Sequence, residues 1–279
     1  MKAWAIWGLT LAIASAGCLS AREAKDEPVG APSRLVPGPD EPAFKDTQGR
    51  EFDMVADNQD PSKISLAYVI PRQDQNFPSW LALAKSPDGG RTWKTYPFCG
   101  DPMRPSPADA ASCPFAGARL TSDPVLMQAR DGTILYMGVM LNAQDVTQFV
   151  ARYERDATKP TSVHVISRSA FNFVDGAQMI PAPYMVYYNG KANIMQERDR
   201  DTLHVVWAAD VVGRDDGVPP TIGLPFWTTS RDGGRTWSKP VALSEDTFGE
   251  ADALYAVGVQ AFQTVDGKLH AIWWESRSN

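Results

Sequence analysis

The feature that most restricts the fold of this chain is an eight-residue sequence that occurs twice, SPDGGRTW at 86–93 and SRDGGRTW at 230–237. The two octets differ at one position only. Their paired glycines can adopt positive φ, and Asp88 and Asp232 can accept hydrogen bonds from the backbone amides of a turn. The threonine favours the start of a strand, and the tryptophan can cover the turn with apolar surface. Each octet therefore predicts a tight hairpin between two strands.

Four short apolar segments recur at a nearly constant spacing through the same region. They contain Tyr68, Tyr136, His204 and His270, which are 68, 68 and 66 residues apart. Each segment has the length and composition of a buried strand, and three of them closely follow an Asp-containing turn. No stretch of helical period occurs outside the N-terminal segment, so the domain is predicted to be nearly all β. Repeated four-stranded units arranged around one axis form a β-propeller.

The spacing also predicts the order of strands within each unit. The four marker residues lie on the second strand, and each octet joins the third strand to an outer fourth strand at 94–98 or 239–244. In the second unit, residues 154–157 stand where an octet is due and are interpreted as a decayed copy. Residues 274–279 are predicted to form a third strand. The innermost strands are predicted near Val55, Asp123, Lys191 and Val257.

Composition restricts the class of protein and its partners. The chain has 279 residues, with 27 Lys and Arg against 33 Asp and Glu and a net charge of −6. This balance disfavours a polyanion-binding surface, so nucleic acid is not an expected partner. The content of 43% apolar and 22% charged residues, with 22 prolines and 21 glycines, is typical of a turn-rich globular protein.

The N-terminal residues have the form of an export signal. Residues 1–17 combine a short basic start with an apolar run that ends in small residues. Residues 15–18 (SAGC) resemble a bacterial lipobox, so Cys18 is the expected site of lipidation, with ordinary signal cleavage nearby as the alternative. Residues 18–45 are rich in Ala, Pro, Glu and Lys and are interpreted as a tether. The folded domain is assigned to 46–279, in the bacterial periplasm or on the outer cell surface.

Two further cysteines suit an exported protein. Cys99 and Cys113 flank a proline-rich stretch, and in an oxidising compartment they are predicted to form a disulfide. Metal binding is the alternative, but no second cysteine pair or nearby histidine completes a set of ligands. No metal and no cofactor are therefore expected.

The octets resemble the Asp-box, S-x-D-x-G-x-T-W, of the sialidase-like superfamily, which is also called the bacterial neuraminidase repeat. The resemblance implies a sialidase-like β-propeller of six blades, of which residues 46–279 would supply about three and a half to four, as a truncated ring. It also implies a structural role for the box residues, on the face away from the substrate. These residues are Ser86, Asp88, Gly90, Thr92, Trp93, Ser230, Asp232, Gly234, Thr236 and Trp237.

Candidate functional residues lie on the loops that enter the first strand and on those that join the second strand to the third. These loops share the face opposite the octets, and binding residues favour loops, although most charged loop residues are simply solvated. The candidates for substrate binding are Arg72, Arg119, Asp123, Arg214 and Asp252. Further polar residues of this face are Asp74, Asp145, Asp215, Glu250 and Tyr255.

The family resemblance implies a specific chemistry for active members. Three arginines bind the substrate carboxylate, a tyrosine assisted by a glutamate is the nucleophile, and an aspartate is the acid/base. Asp74 lies in the loop where that aspartate is expected, and Tyr255 with Glu250 is the candidate substitute for the nucleophile pair. The sequence departs from the family because residues 52–55 lack the arginine of the inner-strand motif aromatic-Arg-Ile-Pro. Residues 68–71 (YVIP) lack it too and fall on the second strand.

Two functional hypotheses follow from this comparison. The first is a non-catalytic or cryptic recognition module of the cell envelope that binds a glycan or an envelope protein, with a membrane reached only through the lipid anchor. The second is an exo-sialidase-type glycoside hydrolase whose later catalytic blades lie beyond residue 279.

Overall fold

The computed structural model of the chain describes residues 50–71, 79–98, 120–141, 145–170, 184–213, 222–244 and 254–277. All of them belong to one unit of residues 35–279. These ranges contain fifteen strands and no helix, which confirms the all-β prediction for the described residues. It follows that none of the described segments is a helix that could span a membrane.

The strands follow one another in chain order. The first eight are β1 (Arg50–Ala56), β2 (Ile64–Pro71), β3 (Ser79–Ser86), β4 (Lys94–Pro97), β5 (Leu120–Gln128), β6 (Ile134–Leu141), β7 (Asp145–Tyr153) and β8 (Ser162–Ala170). The next seven are β9 (Tyr184–Asn189), β10 (Asn193–Gln196), β11 (Leu203–Gly213), β12 (Ile222–Ser230), β13 (Val241–Ala242), β14 (Leu254–Gln263) and β15 (Leu269–Arg277).

The strands form antiparallel units in which sequence neighbours pair. The first unit is β1-β2-β3-β4 and the second is β5-β6-β7-β8. In the third unit β9 and β10 pair with successive halves of β11, which pairs with β12 and, through it, β13. The hairpin β14–β15 joins the third unit through one parallel pair, Gly223 with Tyr255. The predicted units of four antiparallel strands are therefore confirmed.

The predicted strand order agrees with the structure at most positions. Val55, Asp123 and Val257 lie on the first strands β1, β5 and β14, whereas Lys191 falls in the short gap between β9 and β10. The marker residues lie on β2, β6, β11 and β15, which are the second strands. The octets follow β3 and β12, as predicted.

One strand prediction was wrong, and a second was confirmed over only part of its length. Residues 274–277 continue β15 rather than form a third strand, because the ladder with β14 runs unbroken at this end to the pair Leu254–Arg277. The outer strand predicted at 239–244 is limited to Val241–Ala242. Pro240 directly precedes it and has no N–H to donate to the ladder.

The core lies between consecutive sheets, and the second sheet is covered on both faces. Side chains of β6 alternate between the two interfaces. Leu135 and Met137 pack against the third unit, around Trp207. Tyr136 packs against the first unit, next to Leu83. Burial raises the pKa of the Tyr136 phenol, which stays neutral and donates a hydrogen bond of 3.3 Å to the carbonyl of Ala82.

The two octets form turns with matching hydrogen bonds. The Ser86 hydroxyl donates to Asp88 Oδ1 over 2.9 Å and accepts from the Gly90 N–H at 2.8 Å. Asp88 also accepts from the N–H and the hydroxyl of Thr92, at 2.8 and 2.7 Å. The matching bonds of 230–237 are Ser230 to Asp232 at 2.8 Å, Gly234 to Ser230 at 2.9 Å, and Thr236 to Asp232 at 2.9 and 2.6 Å.

These bonds stabilise the ionised aspartates and fix the ends of the sheets. Burial alone would raise the pKa of Asp232, but hydrogen bonds from Thr236, Ser230 and the backbone lower it to about 2. Gly89 and Gly90 adopt φ values of 71° and 88°, which side-chain-bearing residues rarely tolerate. The end of the sheets that carries these turns is called the turn end below, and the opposite end is the loop end.

Gly138 lies where the second sheet approaches Leu81 of the first sheet closely. It lies on β6, and a Cβ added there would come within 2.6 Å of Leu81 Cδ1. Leu81 is itself buried and has little room to move. We expect Gly138→Ala to lower the free energy of unfolding by about 1–3 kcal/mol, the usual cost of overpacking a core. Urea-induced unfolding monitored by tryptophan fluorescence measures the change.

The double variant Gly138→Ala with Leu81→Ala is the control for this prediction. Removing the Leu81 side chain makes room for the added methyl group, so the effect of Gly138→Ala should be smaller in the Leu81→Ala background. Strictly additive effects would show that the two positions are not in contact.

Candidate functional site

Most residues predicted at the loop end lie outside the described residues. They are Arg72, Asp74, Arg119, Arg214, Asp215, Glu250 and Asp252. The same holds for Cys18, Cys99, Cys113 and the segments 1–17 and 18–45. Asp145 is the first residue of β7, opposite Ala170, and Tyr255 lies on β14. Asp123 is the candidate whose surroundings can be described.

Asp123 lies at a bulge on the first strand of the second unit. The β5–β6 register shifts between Ser122 and Val125, and Asp123 has a φ of 53°. Glu51 occupies a matching bulge on β1, with a φ of 43°. On β14 the bulge residue is Gly258, with a φ of 64°. Glycine adopts this conformation freely, whereas other residues do so at a cost of about 1–3 kcal/mol.

The two acidic bulges are bonded to each other. The backbone N–H of Asp123 donates to Glu51 Oε2 over 2.8 Å. The Ser122 hydroxyl donates to Asp123 Oδ2 over 3.2 Å. Two residues further along β1, Asp53 Oδ2 accepts from the Leu126 N–H at 2.8 Å. Carboxylates of the first unit therefore bond the first strand of the second and hold the bulges side by side.

The position of the bulges makes them accessible from the loop end. Glu51 lies between the pairs Arg50–Val69 and Phe52–Tyr68, towards the end of β2 that is remote from the octet turn. Its side chain is exposed, whereas Asp123 is half-buried. Two carboxylates at one end of adjacent strands offer several hydrogen-bond acceptors. Carboxyl groups can also serve in general acid/base catalysis.

A repeated glutamine sets the register between consecutive units. Gln128, Gln196 and Gln263 end the first strands β5, β10 and β14. Each side-chain carbonyl accepts from a backbone N–H of the preceding unit. The bonds are Asn58 to Gln128 at 2.6 Å, Arg130 to Gln196 at 2.9 Å and Arg198 to Gln263 at 2.8 Å. Sequence reasoning missed these residues, although their recurrence just ahead of each second strand was a usable signal.

The decayed octet of the second unit, residues 154–157, forms an ion pair with the first unit. Arg155 Nη1 lies 2.6 and 2.7 Å from the two carboxylate oxygens of Asp57. Asp57 also accepts from the Gln128 side chain at 2.8 Å and from the Gln59 N–H at 2.8 Å. Burial alone would raise the pKa of Asp57, but these hydrogen bonds and the Arg155 charge lower it to about 2.

The Asp57 carboxylate should therefore contribute stability that depends on pH. Its pKa is about 2 in the folded protein against an ordinary value of 3.8. Its contribution is complete above the ordinary pKa and is lost as the pH falls through the folded one. We expect Asp57→Asn to lower the free energy of unfolding by about 2 kcal/mol at pH 7, because Arg155 loses its charged partner. Urea unfolding across pH 7 to 2.5 measures the difference.

Asp156→Asn is the matched control, since Asp156 follows Arg155 directly and is an exposed carboxylate paired with Lys63. Exposed pairs of this kind contribute little, so this variant should unfold like the wild type. For Asp57→Asn, the deficit should shrink between pH 4 and pH 2.5. A deficit that stayed constant over that range would show that the ionised form of Asp57 is not the stabilising one.

The described residues offer no ready metal centre. Within the ranges given above, no group of three or more His, Cys, Asp or Glu side chains is placed to hold a metal ion. His204 is buried in the framework, where its Nδ1 accepts from the Trp227 indole N–H at 3.0 Å. Its Nε2 therefore carries the proton and donates to Glu197 Oε1 over 3.0 Å.

Comparison with known proteins gives similarity at the level of structure. No protein-family model matches the sequence, and no curated protein sequence matches it. The α-L-arabinanase of Penicillium chrysogenum, solved with arabinobiose, has a TM-score of 0.48 and 10% identity, over 81% of this chain and 57% of its own. The GH93 α-L-arabinofuranosidase of Fusarium graminearum, solved with arabinobiose, has a TM-score of 0.47 and 14% identity, over 81% of this chain and 56% of its own.

An N-acetylgalactosamine deacetylase from F. plautii, in complex with blood group B trisaccharide, has a TM-score of 0.46 and 15% identity, over 84% of this chain and 70% of its own. The chain spans little more than half the length of the arabinanase and of the arabinofuranosidase. Similarity at this level carries no information on activity or substrate.

Proposed function

We propose that this chain is an exported, sialidase-like propeller with Asp-box turns, and that its loop end recognises glycans at the bacterial cell envelope. The observation that carries the proposal is the pair of acidic residues, Glu51 and Asp123, held at matching positive-φ bulges on adjacent first strands. The matching hydrogen bonds of the two octets and the regular repeat support the propeller assignment.

The fold does not require acidic side chains at these bulges. The hairpin β14–β15 makes the corresponding bulge with Gly258, which carries no side chain. Glu51 and Asp123 thus accept backbone strain that glycine would avoid, and strained residues of this kind cluster at functional sites. Their carboxylates can accept hydrogen bonds from the adjacent hydroxyl groups of a sugar ring, which is the recognition that a glycan needs.

The alternative is exo-sialidase-type hydrolysis, which the resemblance of the octets to the Asp-box favours and in which a tyrosine replaces the usual carboxylate nucleophile. In this alternative Asp74 would serve as the acid/base, and Tyr255 with Glu250 as the nucleophile pair. Arg72, Arg119, Arg214 and Asp252 would bind the substrate. A glycan bound without turnover distinguishes recognition from hydrolysis.

The glycan proposal predicts that binding depends on the acidic bulges. We expect the wild-type protein to bind oligosaccharides on a glycan array, and Glu51→Gln combined with Asp123→Asn to weaken that binding at least tenfold. Asparagine tolerates the positive φ of position 123, so the fold is retained. Titration calorimetry with the best array ligand measures the change.

Asp266→Asn is the control, because Asp266 is an exposed carboxylate in the β14–β15 turn, remote from the bulges. It removes one negative charge and should leave binding unchanged. Binding that survived in the double variant would contradict the proposed site. Release of sialic acid from a fluorogenic sialoside, reduced by Asp74→Ala, would favour the hydrolase instead.

The proposed location predicts a covalent anchor at Cys18. We expect Cys18→Ala to move the protein from the membrane fraction to the soluble periplasmic fraction, because a lipidated cysteine attaches an exported protein to the membrane. Fractionation of cells that produce the wild type and the variant measures the shift, with Cys99→Ala as a control for loss of a cysteine elsewhere. An unchanged membrane fraction would rule out the anchor.

A further inference from the structure

A cleft opens at the turn end, between the first unit and the turn that joins β7 to β8. Its volume is about 290 Å³, close to the lower limit of small-molecule sites and large enough for one sugar ring. Its apolar surface includes Val55, Ile64, Ile134 and the ring of Tyr96, and its polar rim is rich in lysine. The loop-end residues of the proposed glycan site lie at the other end of the sheets.

Lys85 and Lys94 face the cleft and lie directly opposite each other on β3 and β4. Like charges in such a cross-strand pair destabilise a sheet. Burial lowers the pKa of Lys85; the negative charges of Asp156 and Asp57 oppose this shift, and the positive charge of Lys63 adds to it. The Lys85 ammonium donates to the carbonyl of Arg155 over 3.1 Å, and that of Lys94 lies 5.5 Å from the centre of the Tyr96 ring. Neither lysine forms an ion pair with a carboxylate of the described residues.

The other charges at the cleft are already paired. Asp57 is bonded to Arg155, and Asp156 to Lys63 at 3.3 Å. Each pair is neutral, so Lys85 and Lys94 leave the cleft with an excess of positive charge, although Asp156 and Asp57 also attract Lys85 at longer range. Because the whole chain carries a net charge of −6, this concentration of positive charge is a local feature and not a general property of the surface.

The third unit shows that the fold does not require these lysines. The positions that match Lys85 and Lys94, just before and just after the octet, are Thr229 and Ser238. Their backbones bond each other, with the Ser238 N–H donating to the Thr229 carbonyl over 2.9 Å. The Thr229 hydroxyl also lies 3.2 Å from His204 Nδ1, so neutral side chains complete the site internally.

In the second unit the cation at the matching place is paired with a carboxylate. Arg152 and Ser162 form the last pair of the β7–β8 ladder, as Lys85 and Lys94 do for β3–β4, and Arg152 Nη1 lies 2.6 Å from Glu154 Oε1. Among the described units, only the first therefore places two cations that form no ion pair across a strand pair at the mouth of a cleft.

We propose that this cleft binds a ligand of monosaccharide size that carries a compact oxyanion, a phosphate or sulfate ester, between Lys85 and Lys94. An ammonium group is an effective point charge for such an anion, and the partial burial of Lys85 reduces competition from water. The sugar body then contacts the Tyr96 ring and the apolar residues of the cleft. This site is distinct from the loop end, so its presence does not depend on the glycan proposal.

The test is calorimetric titration of the full-length protein with glucose 6-phosphate, glucose 6-sulfate, inorganic phosphate and glucose. We expect both esters to bind more tightly than inorganic phosphate, and glucose not to bind measurably. Lys85→Gln combined with Lys94→Gln should weaken ester binding at least tenfold. A preference for one ester identifies whether the site suits phosphate or sulfate.

Lys239→Gln is the matched control, because it removes one exposed positive charge beside the octet of the third unit. It should bind the esters like the wild type. Thermal unfolding supplies a second readout. Without ligand the double variant should be at least as stable as the wild type, since the like-charge pair is gone, and the ester should raise the melting temperature of the wild type only.

Three results would overturn the proposal. They are ester binding that is unchanged in the double variant, glucose binding that equals ester binding, and the absence of any ester binding by the wild type. If the double variant fails to fold, Lys94→Gln alone preserves the test, because Lys94 is exposed and its replacement leaves the buried contacts of β3 intact.

Discussion

The attachment of each first strand to the first turn of the preceding unit is the interaction on which the rest of the structure depends. A glutamine side chain at the end of β5, β10 or β14 accepts from a backbone N–H of the preceding unit. Because these bonds involve the backbone, they fix the relative register of two sheets that share no regular ladder. The apolar faces then meet in a defined alignment, with Leu81 packed against Gly138.

The sequence predicts the repeat better than it predicts the joins between repeats. A strand and its turn are local, so the octets and the spacing of Tyr68, Tyr136 and His204 were sufficient to place the second strands and the hairpins. The glutamine bonds and the Asp57–Arg155 pair connect residues about one repeat or more apart, so the sequence around each residue does not identify its hydrogen-bond partner. The end of β15 was misjudged for a related reason, since only its pairing with β14 shows that the second strand continues.

The candidate site shows the same limit. Asp123 was selected because it lies on a first strand, yet its bulge and positive φ arise from a register shift that composition does not reveal. Glu51 was not selected at all, because nothing in its immediate sequence indicates that it accepts from the Asp123 N–H. Residues such as Asp74 and Glu250 were chosen from loop position and family resemblance, and they lie outside the described residues.

Comparison among the repeats separates what the fold needs from what a ligand could use. Where one unit has a charged residue and another has a neutral residue at the matching position, the fold does not require the charge. Gly258 matches the acidic bulge residues Glu51 and Asp123 in this way, and Thr229 matches Lys85. The burial of apolar side chains also differs between the units.

The second sheet has a neighbour on both faces, and Leu135, Tyr136 and Met137 are fully buried on it. On β1, by contrast, Phe52 is 68% exposed. In a repeat architecture a unit cannot bury its own faces, so the stability of each sheet belongs to its contacts with the next and not to the sheet alone.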